Sequence, residues 1–174
     1  VHARRLRPEV LLVVAGEGPA MADLQAQVGM LGLSGAVRFI GYLDRQRELP
    51  DCYAAADVFV FASRTETQGL VLLEAMAAGL PVIALAEMGT IDILAPGRGA
   101  FCPPAEARAF GEMLGHFLSR PGAWRHLAAE APDYAREWSD TAMAARLAAY
   151  YRELAGLKIA PERPLTAAAC SGTG

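Results

Sequence analysis

Apolar residues fall into short runs that alternate with segments of helical periodicity. Runs near residues 10–14, 37–41, 57–62, 82–85 and 100–103 have the length and the Val, Ile and Phe content of strands. Between them, apolar positions recur at helical spacing, and Gly or Pro residues end many of these segments. Strands that alternate with helices predict a parallel, doubly wound α/β sheet.

The same pattern predicts the helices and the limit of the folded domain. Helices are expected at residues 1–6, 19–31, 51–56, 69–78, 106–119, 124–137 and 141–154. The helix at 124–137 is expected to be interrupted or to restart near Pro132. From Leu157 the composition turns to Pro, Ala, Thr, Ser and Gly without a period. One domain is therefore predicted at residues 1–156, and residues 157–174 are predicted to be a disordered tail.

The segment at residues 57–86 predicts a βαβ unit around which the chain is organised. Its first strand, 57–62, has the composition of a strand buried on both faces, and a polar loop follows at 63–68. The helix at 69–78 carries a single charge and ends at a G-L-P stop. In such units ligands bind outside the carboxyl end of a parallel strand, so the loop at 63–68 is a candidate site.

The start of this helix has the features of a phosphate site. Thr67 is a plausible N-cap residue, which would leave the amides of Gln68, Gly69 and Leu70 pointing out of the helix without partners. Unpartnered amides and the positive end of the helix dipole attract a phosphate, and Gly69 would let it approach the backbone.

Two carboxylates flank this helix start, Glu66 in the loop and Glu74 in the helix. Glu74 is the only charge at residues 70–78, and a buried carboxylate without a partner is costly, so it must face a cleft, a cation or hydroxyl donors. The alternative is a chance pair, with Glu74 on a solvated helix edge, because the chain has 19 acidic residues. A sugar nucleotide would satisfy both glutamates with hydroxyl groups.

The string S-R-T-E-T-Q-G-L-V-L-L-E-A-M-A-A-G-L-P-V-I favours the functional alternative. It closely resembles the E-x7-E segment of the retaining glycosyltransferases of GT-B type, a family that includes sucrose synthases and many bacterial mannosyl- and glucosyltransferases. The resemblance implies that Glu66 is catalytic and contacts the donor sugar, and that Glu74 binds the nucleotide ribose. It also implies that the loop around Gln68 belongs to the donor site, and that Gly69 and Leu70 bind the diphosphate through their amides.

Three further residues are candidates for the donor site. Gly16 and Gly18 follow the first strand; a tight strand-to-helix junction explains them, and the resemblance offers a position near the donor. Tyr42 follows the second strand, where the family borders the nucleobase; the alternative is a loop aromatic that packs onto the domain. At Met88-Gly89 the family commonly has two glycines, and no donor contact is assigned there.

Composition narrows the class of protein. A net charge of −3 without a basic run argues against a nucleic-acid partner. The odd number of cysteines, three, and the absence of Cys-x-x-Cys predict reduced thiols in a cytosolic protein, and the three histidines lack metal-ligand spacing. No apolar run reaches the length of a membrane span. Neither a metal nor a cofactor is expected, with the nucleotide diphosphate sugar as donor substrate.

The resemblance covers residues 1–156 and implies the donor-binding, C-terminal domain of a two-domain hexosyltransferase. The acceptor, a glycan or a lipid, would bind through an N-terminal domain. The chain does not begin with Met, and the family's diphosphate-binding Arg and Lys have no counterpart in it. We therefore expect an N-terminally truncated chain that is inactive and poorly soluble alone.

A strand is expected to be missing from the centre of the sheet. In the strand order 3-2-1-4-5-6 the first strand is central, and the runs at 10–14 and 57–62 would be its neighbours. An unfilled slot should then separate these two strands, which would not pair with each other.

Two rival functions remain open at this stage. A non-catalytic nucleotide-sugar-binding or regulatory module would keep the fold and lose the chemistry. A Rossmann enzyme of another class is disfavoured because no G-x-G-x-x-G follows a strand. The T-E-T-Q-G loop is similar to that of some enzymes that glycosylate membrane lipids. Peripheral association with the inner face of the membrane is therefore an alternative to a purely cytoplasmic location.

Overall fold

The structure, a computed structural model, describes residues 1–156, so the predicted tail at 157–174 lies outside the described residues. The chain divides into two compact units, the first spanning Val1–Trp138 and the second beginning at Ser139. The five strands are β1 (Leu12–Ala15), β2 (Val37–Gly41), β3 (Phe59–Phe61), β4 (Val82–Ala84) and β5 (Ala100–Phe101). They coincide with the five apolar runs: β2 matches its prediction, β3, β4 and β5 are shorter, and β1 starts and ends later in the chain.

Eight helices are described. They are α1 (His2–Leu6), α2 (Met21–Met30), α3 (Glu48–Ala54), α4 (Leu70–Ala77), α5 (Ile91–Leu94), α6 (Ala107–Ser119), α7 (Pro121–Arg136) and α8 (Asp140–Leu154). A 3₁₀ turn at Met88–Thr90 leads into α5, and neither element follows from the periodicity because each is only one turn long. The helix α8 belongs to the second unit; Ser139 caps it by accepting a hydrogen bond from the Ala142 amide (3.2 Å).

The strands form two parallel sheets. In one, β1 pairs with β2 from Leu12↔Val37 to Ala15↔Gly41. In the other, β4 lies between β3 and β5. Within the described residues β1 and β3 do not pair, as expected for strands on either side of a missing neighbour. The α/β class with parallel strands is confirmed.

The two strands next to this break are less buried than their composition suggests. Leu12 and Val13 of β1 are 41% and 42% exposed, and all three residues of β3 are only partly buried. The prediction of a strand buried on both faces at 57–62 is therefore wrong for β3. Every residue of β4, by contrast, is fully buried, because β4 has a strand on each side.

The main core lies between the sheet of β3–β5 and the helices α4 and α7. Leu72 and Met76 of α4 are completely buried, as the apolar character of this helix predicts, and they pack in one cluster with Val82. Leu73, expected to be largely buried as well, is only partly buried. Helix α4 therefore lies at the centre of the unit, with one side less covered than the others.

Helix α7 is continuous, so the expected interruption at Pro132 is wrong. A proline inside a helix removes one backbone hydrogen bond. Here the loss is offset by burial of the face that carries Leu127, Ala131 and Tyr134, which packs on the core. Arg98, just before β5, further anchors α7: it pairs with Glu130 (2.9 Å) and Glu137 (2.7 Å), and its guanidinium lies over the Tyr134 ring.

The burial of α4 makes a first prediction. Leu72→Ala should lower the free energy of unfolding by about 2–5 kcal/mol, because it leaves a cavity in a packed core. Leu70→Ala on the same helix should change it by less than about 0.5 kcal/mol, since Leu70 is 53% exposed. Urea denaturation followed by circular dichroism measures both values, and equal losses would contradict the central position of α4.

The exposure of β1 makes a second prediction. Val13→Lys should increase the soluble yield of the chain expressed alone, because a charge on an exposed apolar strand opposes edge-to-edge association. Val82→Lys in the buried strand β4 should abolish folding instead. Soluble fractions after lysis and size-exclusion chromatography compare the two variants with the wild type. An unchanged yield for Val13→Lys would show that β1 does not drive association.

Candidate functional site

The loop between β3 and α4 is organised by the Glu66 side chain. Its Oε1 accepts hydrogen bonds from the backbone amides of Gln68 and Gly69, both at 2.9 Å. Gly69, with φ +72°, is the N-cap residue of α4, and this left-handed conformation suits glycine. The expected N-cap role of Thr67 is therefore wrong, and two of the three amides expected to be without partners are bonded to Glu66. The described residues offer the Leu70 amide no acceptor.

These amides also determine the charge of Glu66. The backbone N–H of Gly69, and then that of Gln68, hold the pKa of the Glu66 carboxyl below its usual range. The positive end of the α4 dipole acts in the same direction. Glu66 is therefore ionised at neutral pH, and its second oxygen can accept hydrogen bonds from hydroxyl groups.

The 3₁₀ turn at Met88–Thr90 packs against this loop from the end of β4. The Gly89 amide donates to the Glu66 carbonyl (3.1 Å), and a Cβ at position 89 would lie only 1.9 Å from the Thr67 carbonyl oxygen. The two loops therefore meet backbone to backbone, which requires glycine at position 89. The preceding residue, Met88, has φ +50°, an uncommon conformation outside glycine.

Buried polar groups hold the turn in place. The Thr90 side chain is fully buried, and its hydroxyl lies 2.7 Å from the Glu87 carbonyl and 3.1 Å from the Leu85 carbonyl. It also accepts the Glu87 amide (3.0 Å). Thr90 thereby satisfies backbone groups at the point where the chain leaves the sheet.

Helix α5 packs closely against the start of α4. A Cβ at Gly69 would lie 2.8 Å from the Ile93 Cδ1 atom of α5. The Ile93 carbonyl in turn accepts a hydrogen bond from the buried Tyr134 hydroxyl of α7 (2.7 Å). Helices α5 and α7 therefore support the backbone that presents the candidate amides.

Glu74, in the second turn of α4, has a partner in the segment after β2. The Arg45 guanidinium contacts its carboxylate directly. The Tyr53 phenol of α3 lies near enough to this carboxylate for the negative charge to act on it. Burial, followed by the negative charge of Glu74, raises the pKa of Tyr53 to about 12, so the phenol stays protonated. Of the surroundings expected for Glu74, the structure shows a cation, Arg45.

The loop that carries Arg45 is held by a compact turn. Asp44 Oδ1 accepts the amides of Gln46 and Arg47 (both 3.0 Å), and the Asp44 amide donates to Glu48 Oε2 (2.8 Å). This turn leads directly into α3, so Arg45 and Tyr53 approach Glu74 on one continuous piece of chain.

The remaining candidates lie at the carboxyl ends of β1 and β2. The Gly16 amide, at φ +122°, donates to the Gly41 carbonyl (2.7 Å) and joins the two strand ends. Tyr42 is 69% exposed, so the alternative of an aromatic packed onto the domain is wrong. Gly18 has open space around it, and α2 begins three residues later, at Met21. No hydrogen bond or ion pair links these three residues to the α4 loop within residues 1–156.

Sequence reasoning missed Arg45 as the partner of Glu74, Tyr53 as its neighbour, and Gly89 as the residue that brings the two loops together. Gly89 had a signal, because it matches a glycine of the family pattern. Arg45 and Tyr53 had none, since neither forms a motif with Glu74.

Other kinds of site have no support in the part of the chain that the structure describes. There, no three or more His, Cys, Asp and Glu side chains are arranged to hold a metal ion. Nor does this part contain a helix long and apolar enough to cross a bilayer.

Comparisons with known proteins add independent information. Residues 2–138 match the family described as glycosyl transferases group 1. A D-inositol 3-phosphate glycosyltransferase of Mycobacteroides abscessus is 33% identical over 173 residues, which cover 95% of this chain and 38% of the relative. The chain thus spans less than half the length of this curated relative.

Two solved structures share the fold. HepE of Anabaena, solved in complex with UDP-glucose, is 25% identical with a TM-score of 0.71, covering 86% of this chain and 42% of that chain. The C-terminal domain of LpcC, a glycosyl transferase group 1 family protein of Francisella tularensis, is 27% identical with a TM-score of 0.67, covering 77% and 72%. The similarity to LpcC therefore concerns most of an isolated C-terminal domain.

The contact between the two loops makes a third prediction. Gly89→Ala should destabilise the protein by about 1–3 kcal/mol or more, because the new methyl group meets backbone atoms of Thr67 that cannot move aside alone. Gly29→Ala, in the last turn of α2 with open space around it, should instead stabilise by up to about 0.5–1 kcal/mol. Urea unfolding measures both, and a neutral Gly89→Ala would contradict the close packing of the loops.

Proposed function

Because the chain belongs to the glycosyl transferases group 1, we propose that it is the nucleotide-sugar-binding domain of a retaining glycosyltransferase. The enzyme would transfer a hexose from a nucleotide diphosphate sugar to a glycan or lipid acceptor. The observation that carries the proposal is the start of α4, where the ionised Glu66 lies on backbone amides and Glu74 follows on the same helix.

Glu66 would contact the transferred sugar. One of its oxygens is bonded to the Gln68 and Gly69 amides, so the carboxylate has a defined orientation before substrate arrives. Its other oxygen can accept from sugar hydroxyls, and such charge-assisted bonds are stronger than neutral ones. A preoriented carboxylate positions the sugar relative to the diphosphate it leaves.

The leaving diphosphate would lie at the start of α4. The Leu70 amide and the helix dipole favour an anion there, although fewer amides are available than the sequence suggested. Two arginines that contact carboxylates around this loop would contribute charge. Arg45 contacts Glu74, and Arg64, 61% exposed, lies 3.4 Å from Glu87. Stabilising charge that develops on the leaving group is a major part of such catalysis.

Glu74 would bind the ribose of the nucleotide. Its side chain is 29% exposed and therefore reachable, and one of its oxygens contacts the Arg45 guanidinium. A ribose diol offers two hydroxyl donors to the same carboxylate. Tyr42, Gly16 and Gly18 are proposed to border the donor from the ends of β1 and β2.

A fourth prediction separates the two glutamates. Glu74→Ala in the full-length protein should weaken binding of the nucleoside diphosphate by about 1.5–3 kcal/mol, the value of a hydrogen bond to a charged group. Glu66→Ala should lower the rate of sugar transfer more than it lowers nucleotide affinity. Isothermal titration calorimetry with UDP, GDP and ADP, together with hydrolysis and transfer assays on the matching sugar nucleotides, measures both effects.

The matched control is Glu112→Ala on α6, which removes only a surface ion pair with Arg108 and should change neither binding nor transfer. Unchanged nucleotide affinity in Glu74→Ala would contradict the ribose role. Tight nucleotide binding by a full-length protein that transfers no sugar would favour the rival function, a non-catalytic nucleotide-sugar-binding module.

A further inference from the structure

The Arg64 side chain links the three loops that follow β3, β4 and β5. Its Nε atom lies 3.4 Å from Oε1 of Glu87, in the loop after β4. Its Nη2 atom donates a hydrogen bond to the carbonyl of Ala105, in the loop after β5 (3.2 Å). Because these three strands are neighbours and run parallel, their loops leave the sheet at the same edge. The guanidinium therefore joins the loops at the edge that carries the candidate site.

Glu87 is itself fixed to the 3₁₀ turn that meets the Glu66 backbone. Its carboxylate accepts the Thr90 amide in a capping box, and its own amide donates to the Thr90 hydroxyl (3.0 Å). From the same turn, the Gly89 amide donates to the Glu66 carbonyl (3.1 Å). The loop before α4 is thus joined to this turn at two points, once through the Arg64 side chain and once through the Glu66 backbone.

These two points lie close to the carboxylate that is proposed to contact the sugar. Only Thr65 separates Arg64 from Glu66 in the chain. The amides of Gln68 and Gly69 orient the Glu66 carboxylate relative to α4, whereas Arg64 holds the preceding residues relative to the loops after β4 and β5. In a group-transfer site, a misplacement of about 1 Å can lower the rate about a hundredfold. A small shift of this loop would therefore affect the reaction.

We propose that Arg64 and Glu87 are positioning residues for sugar transfer. Their ion pair, together with the bond from Arg64 to the Ala105 carbonyl, holds the loop in the position from which the Glu66 carboxylate meets the donor sugar. The inference rests on the proposed function, because it assumes that Glu66 contacts the sugar. It assigns a role to Glu87, an acidic residue that the proposed chemistry does not use.

The test measures donor turnover and nucleotide affinity separately in the full-length protein. UDP, GDP and ADP are titrated by calorimetry, and the turnover number for hydrolysis is measured with UDP-glucose, GDP-mannose and ADP-glucose. Glu87→Gln removes the charge that pairs with Arg64 and keeps an oxygen that can accept the Thr90 amide. It should lower the turnover number about two- to fivefold, the range that corresponds to an exposed ion pair. The dissociation constant of the nucleoside diphosphate should stay unchanged, because this ligand has no sugar.

A double-mutant cycle tests whether Glu87 acts through Arg64. Arg64→Gln should lower the turnover number at least as much as Glu87→Gln, since it breaks the same pair and also removes a positive charge. In the Arg64→Gln background, Glu87→Gln should have no further effect, because the pair is already broken. The matched control is the double variant Arg108→Gln/Glu112→Gln on α6, which removes an ion pair of similar exposure and should change neither quantity.

The results distinguish failure of this inference from failure of the proposed function. A wild-type or higher turnover number in Glu87→Gln, while Glu66→Ala loses transfer, would overturn the positioning role and leave the proposed function standing. A loss that persists at full size in the Arg64→Gln background, or that is matched by weaker nucleotide binding, would overturn it as well. A wild type that binds none of the three nucleotides, or that neither hydrolyses a sugar nucleotide nor transfers a sugar, would overturn the proposed function and this inference with it.

Discussion

The hydrogen bonds from the Gln68 and Gly69 amides to Glu66 are the interaction on which the candidate site depends. They bend the loop after β3 back onto the start of α4 and give the carboxylate one orientation. They also occupy amides that would otherwise face solvent at a helix end. The consequence is a candidate site in which a protein carboxylate and an incoming phosphate would compete for the same positive end of the helix. A substrate that offers hydroxyl groups to Glu66 and phosphate oxygens to the next amide satisfies both.

The core makes this arrangement rigid. Helix α4 is apolar on most sides and buried, so its start cannot shift without disturbing β4 and α7. Gly89 brings a second loop into backbone contact with the first, and Ile93 fills the space under Gly69. Neither glycine can be replaced without moving backbone or packed side chains. The residues proposed to bind the donor thus belong to loops, while the positions of those loops are determined by buried, apolar neighbours.

Charge in the site is balanced within the protein before any ligand arrives. Glu66 is stabilised by amides, and Glu74 by a guanidinium. Carboxylates that already have partners avoid the cost of an isolated buried charge, yet the exposed Arg45 is a partner that a ligand can replace. An exposed partner of this kind suits the proposed nucleotide site, because a ligand can replace it.

The sequence by itself determined the alternation of strands and helices, the βαβ unit at its centre and the Glu66–Glu74 spacing, because periodicity, turn residues and helix geometry are local properties. It also anticipated that β1 and β3 would not pair, since strand order in this architecture follows from topology. Tertiary structure decided the rest. Arg45 contacts Glu74 across 29 positions of chain, and Gly89 packs against Thr67 across 22. Such contacts depend on how separate elements pack in three dimensions. The same reason explains why the apolar run at β1 is partly exposed. Burial depends on which elements cover a strand, and a local sequence pattern does not show which elements these are.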